Sequence, residues 1–158
     1  MLRRLQVVRR AVRSEKILLD EIYTELIAEH SRSRENRQPL PNATIRERGH
    51  NPSCGDDITI ELAVADGVIV DASFNGAGCA ISQASADMMI ELMRGKPLAE
   101  AKRLAELFIA MIQGTVTSDD ELADLDEAAA LKNISTMPAR VKCATLAWHA
   151  LDNAVNKL

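Results

Sequence analysis

The 158-residue chain has few aromatic residues and little excess of either charge. One Trp, one Tyr and two Phe are present, and 19 basic side chains against 23 acidic ones give a formal net charge of -4. The chain lacks both the basic surface and the aromatic stacking surface that are typical of nucleic-acid binding, so we expect no nucleic-acid partner. It also lacks any apolar run near the ~20 residues that a membrane-spanning helix needs, so we expect no membrane partner.

Cysteine is scarce, and the three that are present form an odd number. An odd count leaves one thiol without a partner, which argues against a disulfide framework and for a reducing compartment; we therefore expect a cytoplasmic protein. The chain is 47% apolar and long enough for one domain with its own core. We place that single domain at residues 14–158.

Residues 1–13 differ from the rest in composition. They contain five arginines and no acidic residue, and apolar residues recur among them at helical spacing. We interpret this stretch as a basic N-terminal extension that is either frayed or an exposed amphipathic helix. An organelle transit peptide is the alternative, although the stretch is short and poor in serine.

Hydrophobic periodicity predicts a mixed fold. Residues 14–30 have the three- and four-residue spacing of an amphipathic helix, and residues 31–43 contain two prolines that favour a loop. Apolar residues alternate over Ile58–Val64 and continue over Val68–Phe74 after an Asp66-Gly67 turn, which predicts a β-hairpin. A third strand is predicted over Thr44–Gly49.

The remainder is predicted to be helical over Ala80–Arg94, Pro97–Ile112 and Val141 to about Val155. We therefore expect an α+β fold in which a small three-stranded antiparallel sheet is packed by about five helices. The acidic stretch 114–131 adds a short helix, for which Ser118 and Glu121 form a capping-box pattern. This stretch is either a solvated face or a docking surface for a basic partner.

The three cysteines lie in short motifs with Gly, Pro or Asp. The motifs are Asn51-Pro52-Ser53-Cys54-Gly55-Asp56, Gly76-Ala77-Gly78-Cys79 and Pro138-Ala139-Arg140-Val141-Lys142-Cys143. Zinc binds thiolate sulfur and carboxylate oxygen in a tetrahedral shell of about four donors. The sequence therefore predicts a zinc centre, for which the candidate ligands are Cys54, Asp56, Cys79 and Cys143. The alternative is that each cysteine only fills the core.

Local chemistry supports a thiolate at two of these cysteines. Cys79 follows two glycines at the start of a predicted helix, and Cys143 is predicted in the first turn of the last helix. The partial positive charge of a helix N-terminus favours thiolate over thiol. Three thiolates, one carboxylate and a dication sum to about -2, and Arg140 and Lys142 are candidates for compensating that charge.

The three histidines are weaker candidates. His30 and His149 lie in predicted helices at positions that suit packing or the surface. His50 lies four residues before Cys54, so it is a candidate for a hydrogen bond to a metal ligand. A structural role for His50 at a strand end is the alternative.

At these motifs the chain resembles the NifU/IscU-like family of iron-sulfur cluster assembly proteins, and within it the SufU type. The resemblance covers about residues 19–158. Its anchors are Asn-Pro-Ser-Cys-Gly-Asp at 51–56, Gly-Ala-Gly-Cys-Ala-Ile-Ser-Gln-Ala-Ser at 76–85 and Arg-Val-Lys-Cys-Ala-Thr-Leu-Ala-Trp at 140–148. It implies an IscU/NifU N-terminal-like fold and the same four metal ligands. The basic extension is not typical of the family.

The resemblance implies two competing functions. A scaffold of the IscU type has a histidine directly before the third cysteine and a Leu-Pro-Pro-Val-Lys segment for a chaperone. Here Lys142 precedes Cys143, and the comparable segment reads Met-Pro-Ala-Arg-Val-Lys. The acidic stretch 114–131 also corresponds to an insertion that marks the SufU type. We therefore expect a zinc-dependent sulfurtransferase, with an iron-sulfur cluster scaffold as the alternative.

On this interpretation Cys54 accepts sulfane sulfur from a SufS-type cysteine desulfurase, activates that enzyme, and supplies a downstream iron-sulfur scaffold. The family mechanism has a histidine of the desulfurase replace Cys54 on zinc, which frees the thiolate while Asp56, Cys79 and Cys143 keep the metal. The cofactor is then zinc, whereas the scaffold alternative would carry an iron-sulfur cluster. A purely structural zinc domain with a closed, inert shell is a third alternative.

Overall fold

The chain forms one three-stranded sheet with helices packed against it in the computed structural model, which describes residues 24–158. The strands are β1 (Ile45–Asn51), β2 (Asp56–Ala65) and β3 (Val68–Ala77). The α-helices are α1, whose described part is 24–32, α2 (Ala80–Met93), α3 (Leu98–Ile112), α4 (Asp119–Leu122) and α5 (Pro138–Asn156). Two 3-10 segments are Glu35–Arg37 and Ala123–Thr136.

The sheet is an antiparallel meander with β2 in the centre. Asp66 and Gly67 connect β2 to β3, and both have positive φ, 53° and 75°. Two positive φ values in a two-residue hairpin loop match the right-handed twist of the strands. The predicted hairpin and its turn are confirmed, and its pairing brings the ends of β1 and β3 to the start of β2.

The core lies between one face of the sheet and the helices α2, α3 and α5. Alternate residues of β2 (Ile58, Ile60 and Leu62) are at most 1% exposed, as the period-two pattern predicts. Across the core, the rings of Phe108 and Trp148 stack with centroids 3.9 Å apart. This stacking packs the last helix, α5, against α3.

A buried hydrogen-bond chain joins α2 to α5. The indole Nε1–H of Trp148 donates to Ser85 Oγ at 2.8 Å, and the Ser85 hydroxyl donates to the Ala144 carbonyl at 2.6 Å. Ser85 and Trp148 are both 0% exposed. A buried indole N–H needs an acceptor, so Ser85 fixes where α5 lies along α2.

The predicted α+β class and the three-stranded antiparallel sheet are confirmed. The last helix begins at Pro138 and not at Val141, because proline at the first helical position needs no hydrogen-bond acceptor for its nitrogen. The basic extension 1–13 and the first part of the predicted helix 14–30 lie outside the described residues. Within residues 24–158, no helix has both the length and the hydropathy of a membrane span.

The acidic stretch differs from its prediction in detail. Ser118 is the N-cap residue of α4, but its side chain makes no capping hydrogen bond, so the predicted capping box is wrong. Basic residues from elsewhere neutralise part of the charge: Arg103 pairs with Asp124 at 3.0 Å and Lys132 pairs with Asp119 at 3.1 Å. These pairs favour the interpretation of a solvated face.

We predict that Ser85→Ala lowers the free energy of unfolding by about 1–3 kcal/mol, because it leaves the buried Trp148 N–H without its acceptor. Urea denaturation followed by tryptophan fluorescence measures the change. Ser118→Ala is the matched control, since its hydroxyl is exposed and makes no capping bond; its effect should stay within about 0.5 kcal/mol. Equal effects of the two substitutions would contradict the role of Ser85.

Candidate metal centre

Three separate segments meet at one end of the sheet: the β1–β2 turn, the β3–α2 junction and α5. In the turn, the Asn51 carbonyl accepts hydrogen bonds from the N–H groups of Cys54 at 3.3 Å and Gly55 at 2.9 Å. Gly55 has a φ of 74°, a conformation that glycine adopts at little cost. The turn thereby directs Cys54 and Asp56 toward the same point.

The distance between the sulfurs of Cys54 and Cys143 suits a tetrahedral metal. Cys54 Sγ lies 3.0 Å from Asp56 Oδ2 and 3.8 Å from Cys143 Sγ. One donor atom from each of these three residues lies within 4.8 Å of the other two. Two sulfurs bound to a tetrahedral zinc at ~2.3 Å would lie about 3.8 Å apart. The Cys54–Cys143 separation therefore already has the length of a tetrahedral edge.

Cys79 lies beside this group of three. It is the N-cap residue of α2, and its Sγ accepts a hydrogen bond from the Ser82 N–H at 3.5 Å. Its own N–H donates to Asp56 Oδ1 at 2.9 Å. The backbone of Cys79 is thus fixed to the carboxylate of Asp56, and its thiol is also hydrogen-bonded to that of Cys143.

The cysteines differ in exposure. Cys54 is exposed, Cys79 is of intermediate exposure, and Cys143 is buried at 1% exposure. Asp56 is also buried, at 1% exposure. A bulky partner could therefore reach the sulfur of Cys54 most easily of the three.

Burial and hydrogen bonding act in opposite directions on the titrating groups. Burial raises the pKa of Asp56, but hydrogen bonds from Cys54, the Cys79 N–H, Cys143 and Ser82 lower it below the ordinary value. At Cys79, burial also raises the pKa, but hydrogen bonds from the Ser82 N–H and hydroxyl bring it below the ordinary thiol value. This result agrees with the predicted thiolate at the start of α2.

Cys143 behaves differently from the prediction. Burial raises the pKa of its thiol well above the ordinary value, and hydrogen bonding to Asp56 and to the other two cysteines raises it further. The expected benefit of a helix N-terminus is absent because α5 starts at Pro138, which makes Cys143 the sixth helical residue. The dipole effect is confined to the first turn.

Sequence reasoning missed the requirement for glycine at position 78. A Cβ atom on Gly78 would lie 2.2 Å from Ser82 Oγ and 2.8 Å from Asp56 Oδ1. The Gly78 carbonyl also accepts a hydrogen bond from Gln83 Nε2 at 2.6 Å. The motif Gly-Ala-Gly-Cys signals a flexible turn, but only the folded chain shows that Asp56 occupies the space beside this glycine.

The predicted supporting residues occupy the surface. Arg140 and Lys142 are exposed on α5, and their side chains make no hydrogen bond or ion pair with any residue in 24–158. Their role as compensating charges stays a prediction. His50 is exposed in β1 and His149 is exposed on α5, whereas His30 is buried.

The donor set fits zinc. It combines three thiols and one carboxylate on three segments, and the 3.8 Å separation of the Cys54 and Cys143 sulfurs is that of a tetrahedral edge. Cys54, Asp56, Cys79 and Cys143 would hold the ion. The sequence predicts all four, and three of them lie together in the described structure.

The chain is similar to several known proteins. The family model for the NifU-like N terminal domain matches residues 22–158. The zinc-dependent sulfurtransferase SufU of Bacillus subtilis is 37% identical over 139 residues, which cover 88% of this chain and 92% of the relative. The iron-sulfur cluster assembly scaffold protein IscU of Thermotoga maritima is 42% identical over 137 residues, which cover 87% of this chain and 94% of the relative.

Solved structures have the same architecture. A crystal structure of a proposed SUF-system iron-sulfur cluster assembly scaffold protein from Fervidobacterium islandicum is 36% identical, with a TM-score of 0.74 over 83% of this chain and 94% of that one. A NifU-like protein from Brucella abortus is 22% identical with a TM-score of 0.72, over 87% and 94% of the two chains, and supports the fold.

We predict that Gly78→Ala weakens zinc binding, because the added methyl group would displace Ser82 or the Asp56 carboxylate. Zinc affinity is measured by competition with a chromophoric chelator. Ser82→Ala removes the nearer obstruction. Adding Gly78→Ala to Ser82→Ala should therefore reduce zinc affinity less than Gly78→Ala reduces it in the unmodified protein. Unchanged affinity in Gly78→Ala would contradict the packing argument.

We also predict that zinc stabilises the fold less as the pH falls. Cys143 has a raised pKa and must lose its proton to bind zinc, whereas the lowered pKa of Asp56 leaves its carboxylate ionised at neutral pH. Each proton released on binding weakens affinity about tenfold per pH unit of acidification. Melting temperatures with and without zinc, measured at about pH 8 and about pH 6.5, should converge at the lower pH; a constant difference would contradict this.

Proposed function

The chain belongs to the NifU-like N terminal domain family, and from this premise we propose that it acts in iron-sulfur cluster biogenesis as a zinc-dependent sulfurtransferase. Its sulfur donor is a SufS-type cysteine desulfurase, and its recipient is a downstream iron-sulfur scaffold. We place this activity in the cytoplasm. The proposed metal ligands are Cys54, Asp56, Cys79 and Cys143, and Cys54 is also the sulfur acceptor.

The observation that carries the proposal is the exposure of Cys54. Of the three cysteines, it alone is exposed, at the tip of a turn, while Cys143 lies 3.8 Å behind it in the protein. A persulfide on the cysteine of another enzyme must approach the accepting sulfur directly, so the acceptor needs access as well as thiolate character. Cys54 meets the access requirement.

The transfer is a thiol–persulfide exchange. The Cys54 thiolate attacks the outer sulfur of the desulfurase persulfide, a bond forms between the two sulfurs, and the enzyme's S–S bond breaks. The desulfurase cysteine leaves as a thiolate, and Cys54 now carries the –S–SH group. Atoms and electrons balance without an external oxidant or reductant.

Zinc, when bound, supplies a positive charge that keeps its cysteine ligands deprotonated. The other residues of the centre have separate positioning roles. Asp56 accepts the Cys79 N–H and thereby keeps the β1–β2 turn against α2. Cys79 caps α2 and Cys143 lies within α5, so their backbone positions do not depend on Cys54. The exposed cations Arg140 and Lys142 offset negative charge at the mouth of the site.

Relatives of similar identity have both kinds of name, so identity alone does not separate transferase from scaffold. The residue before Cys143 supports the transferase: it is Lys142, whose side chain is exposed on α5, where a scaffold of the IscU type would have a histidine. The shell of three thiols and a carboxylate is complete without it. The scaffold stays the alternative, favoured by the name of the Thermotoga maritima relative.

We predict that Cys54→Ala abolishes sulfur acceptance while some zinc stays bound by the other three residues. The protein is incubated with the desulfurase and free cysteine, and mass spectrometry under non-reducing conditions detects the added sulfur atom. Cys79→Ala and Cys143→Ala are the controls; both should lose metal and sulfur acceptance together. Sulfur acceptance at the normal rate in Cys54→Ala would refute the proposed role.

The same preparation separates the two functions. A transferase purifies with about one zinc per chain and stimulates the desulfurase, and it forms no stable chromophore after anaerobic addition of iron and sulfide. A protein that assembles a stable cluster, passes it to an apo-protein and fails to stimulate any desulfurase is a scaffold.

A further inference from the structure

A second group of charged residues is buried away from the cysteines, around His30 near the end of α1. His30 is 7% exposed, and both nitrogens of its ring contact carboxylates. Nδ1 lies 2.5 Å from Asp87 Oδ2 on α2, and Nε2 lies 2.6 Å from Glu127 Oε2 in the segment Ala123–Thr136. One imidazole thus connects three elements that are distant in sequence.

The surrounding hydrogen bonds show that this group is a complete network. Asp87 is 0% exposed, and its second oxygen accepts a hydrogen bond from Asn36 Nδ2 at 2.8 Å. Asn36, itself 2% exposed, also donates to Glu91 Oε1 at 3.3 Å. His30, Asp87 and Glu91 lie close enough together to be considered for a metal ion. The 2.5 Å between His30 Nδ1 and Asp87 Oδ2 is a hydrogen-bond distance, however, and is shorter than the ~3 Å between two ligands of one ion, so a proton lies between them.

The geometry specifies the proton count. A neutral imidazole has one N–H and one bare nitrogen, and an ionised carboxylate can only accept. With His30 neutral and both carboxylates ionised, one nitrogen lone pair would face a carboxylate oxygen at hydrogen-bond distance. Both contacts are attractive only when the network holds one additional proton, which makes the ring an imidazolium.

We propose that His30 is a proton-dependent latch: with the additional proton it holds α1 to α2 and to the segment Ala123–Thr136, and without that proton the hold on this segment is lost. The proposal is independent of sulfur transfer. It assigns a regulatory role to a histidine that the metal centre does not use.

The charges around His30 come from each element packed against it. They are Glu29 and Arg32 on α1, Arg34, Glu35 and Arg37 in the following segment, Asp87 and Glu91 on α2, and Asp126 and Glu127 in the segment Ala123–Thr136. Acidic groups outnumber basic ones, and the direct partners of the ring are all carboxylates. Burial lowers the pKa of His30, but its hydrogen bonds to Asp87 and Glu127 raise it above the ordinary value.

The backbone of the segment Ala123–Thr136 is strained at the residue next to Glu127. Asp126 has a φ of 49° and a ψ of -128°, and this non-helical residue interrupts the run Ala123–Thr136. Such a conformation in a residue other than glycine costs energy and persists when surrounding contacts impose it. The next residue, Glu127, is held by its hydrogen bond to His30. Loss of that bond would allow the backbone at Asp126 to relax toward a less strained conformation.

The segment leads directly into the metal centre. It ends at Thr136, and α5 begins at Pro138 and carries Cys143. On the other side, Asp87 belongs to the helix that Cys79 caps. The latch thus joins α2, which Cys79 caps, to the segment that precedes α5.

The direction of the pH effect follows from the raised pKa. A histidine whose pKa is higher in the folded than in the unfolded protein stabilises the fold fully below the unfolded value of about 6.5. That stability is lost as the pH rises through the folded pKa. The segment Ala123–Thr136 should therefore be more protected at mildly acidic pH than at alkaline pH.

The first test is an NMR titration of the zinc-loaded full chain. The ring protons of His30 should titrate above the ordinary value of about 6.5. Both ring nitrogens should have the chemical shifts of an imidazolium below that midpoint. A midpoint at or below about 6.5, or a neutral-ring spectrum at acidic pH, would overturn the latch, and this measurement needs no variant.

The second test is hydrogen–deuterium exchange of His30→Gln against the unmodified protein. The substitution removes the proton-binding ring while keeping one side-chain donor. At about pH 6, exchange in residues 123–136 should be severalfold faster in His30→Gln, and the difference should vanish well above the folded pKa. An equal difference at both pH values would identify a contact that does not depend on protonation and overturn the proposal.

Two further variants complete the design. Glu127→Gln removes the negative charge of the exposed partner of His30 and leaves the buried partner, Asp87, in place. The titration midpoint of His30 should therefore fall. His149→Gln is the matched control because His149 is exposed on α5; it should change neither the His30 midpoint nor exchange in residues 123–136. If Glu127→Gln leaves the His30 midpoint unchanged, Glu127 is no part of the latch and the proposal fails.

Discussion

The buried carboxylate of Asp56 is the contact on which the arrangement of the candidate centre depends. One oxygen accepts the Cys79 N–H and the other contacts Cys54 Sγ, which joins the start of β2 to the start of α2. A buried carboxylate is costly without donors, and here the donors to Asp56 belong to the centre and its immediate neighbour Ser82. The candidate ligands are therefore brought together by the fold itself, because the same contacts that satisfy Asp56 place the cysteines.

Most of the fold could be predicted from periodicity and turn chemistry. The alternating β2 residues and the Asp66-Gly67 turn predict the hairpin. They do not predict the register shift between Ala63 and Val64, which neither the period-two pattern nor the turn specifies. Helix bounds are less well determined by sequence. Pro138 could either precede α5 or begin it, and proline chemistry is compatible with both positions. The kink at Asp126 has no sequence signal, since it depends on contacts with other elements.

The proximity of Cys54, Asp56 and Cys143 could be predicted because cysteine is scarce in this chain and the cysteine motifs are specific. The environment of each of these side chains could not be predicted. Burial raises the pKa of the Cys143 thiol, and burial depends on how α5 packs, which the motif does not report. The need for Gly78 likewise follows from the position of Asp56, a residue 22 positions earlier in the chain. Sequence reasoning misses the His30 network for the same reason: its partners come from distant segments, and no local pattern marks them.

The distribution of the ligands between turn and helices bears on how the centre could react. Cys54 and Asp56 come from one turn, but only Asp56 is tied to α2 by a hydrogen bond from the backbone; Cys54 is exposed and its side chain bonds only within the turn and the centre. Moving Cys54 away therefore breaks few contacts, whereas moving Cys143 would open the buried face of α5. A centre built in this way can release one particular sulfur and keep its fold. That asymmetry is what sulfur transfer requires, while a closed structural zinc site would gain nothing from an exposed ligand.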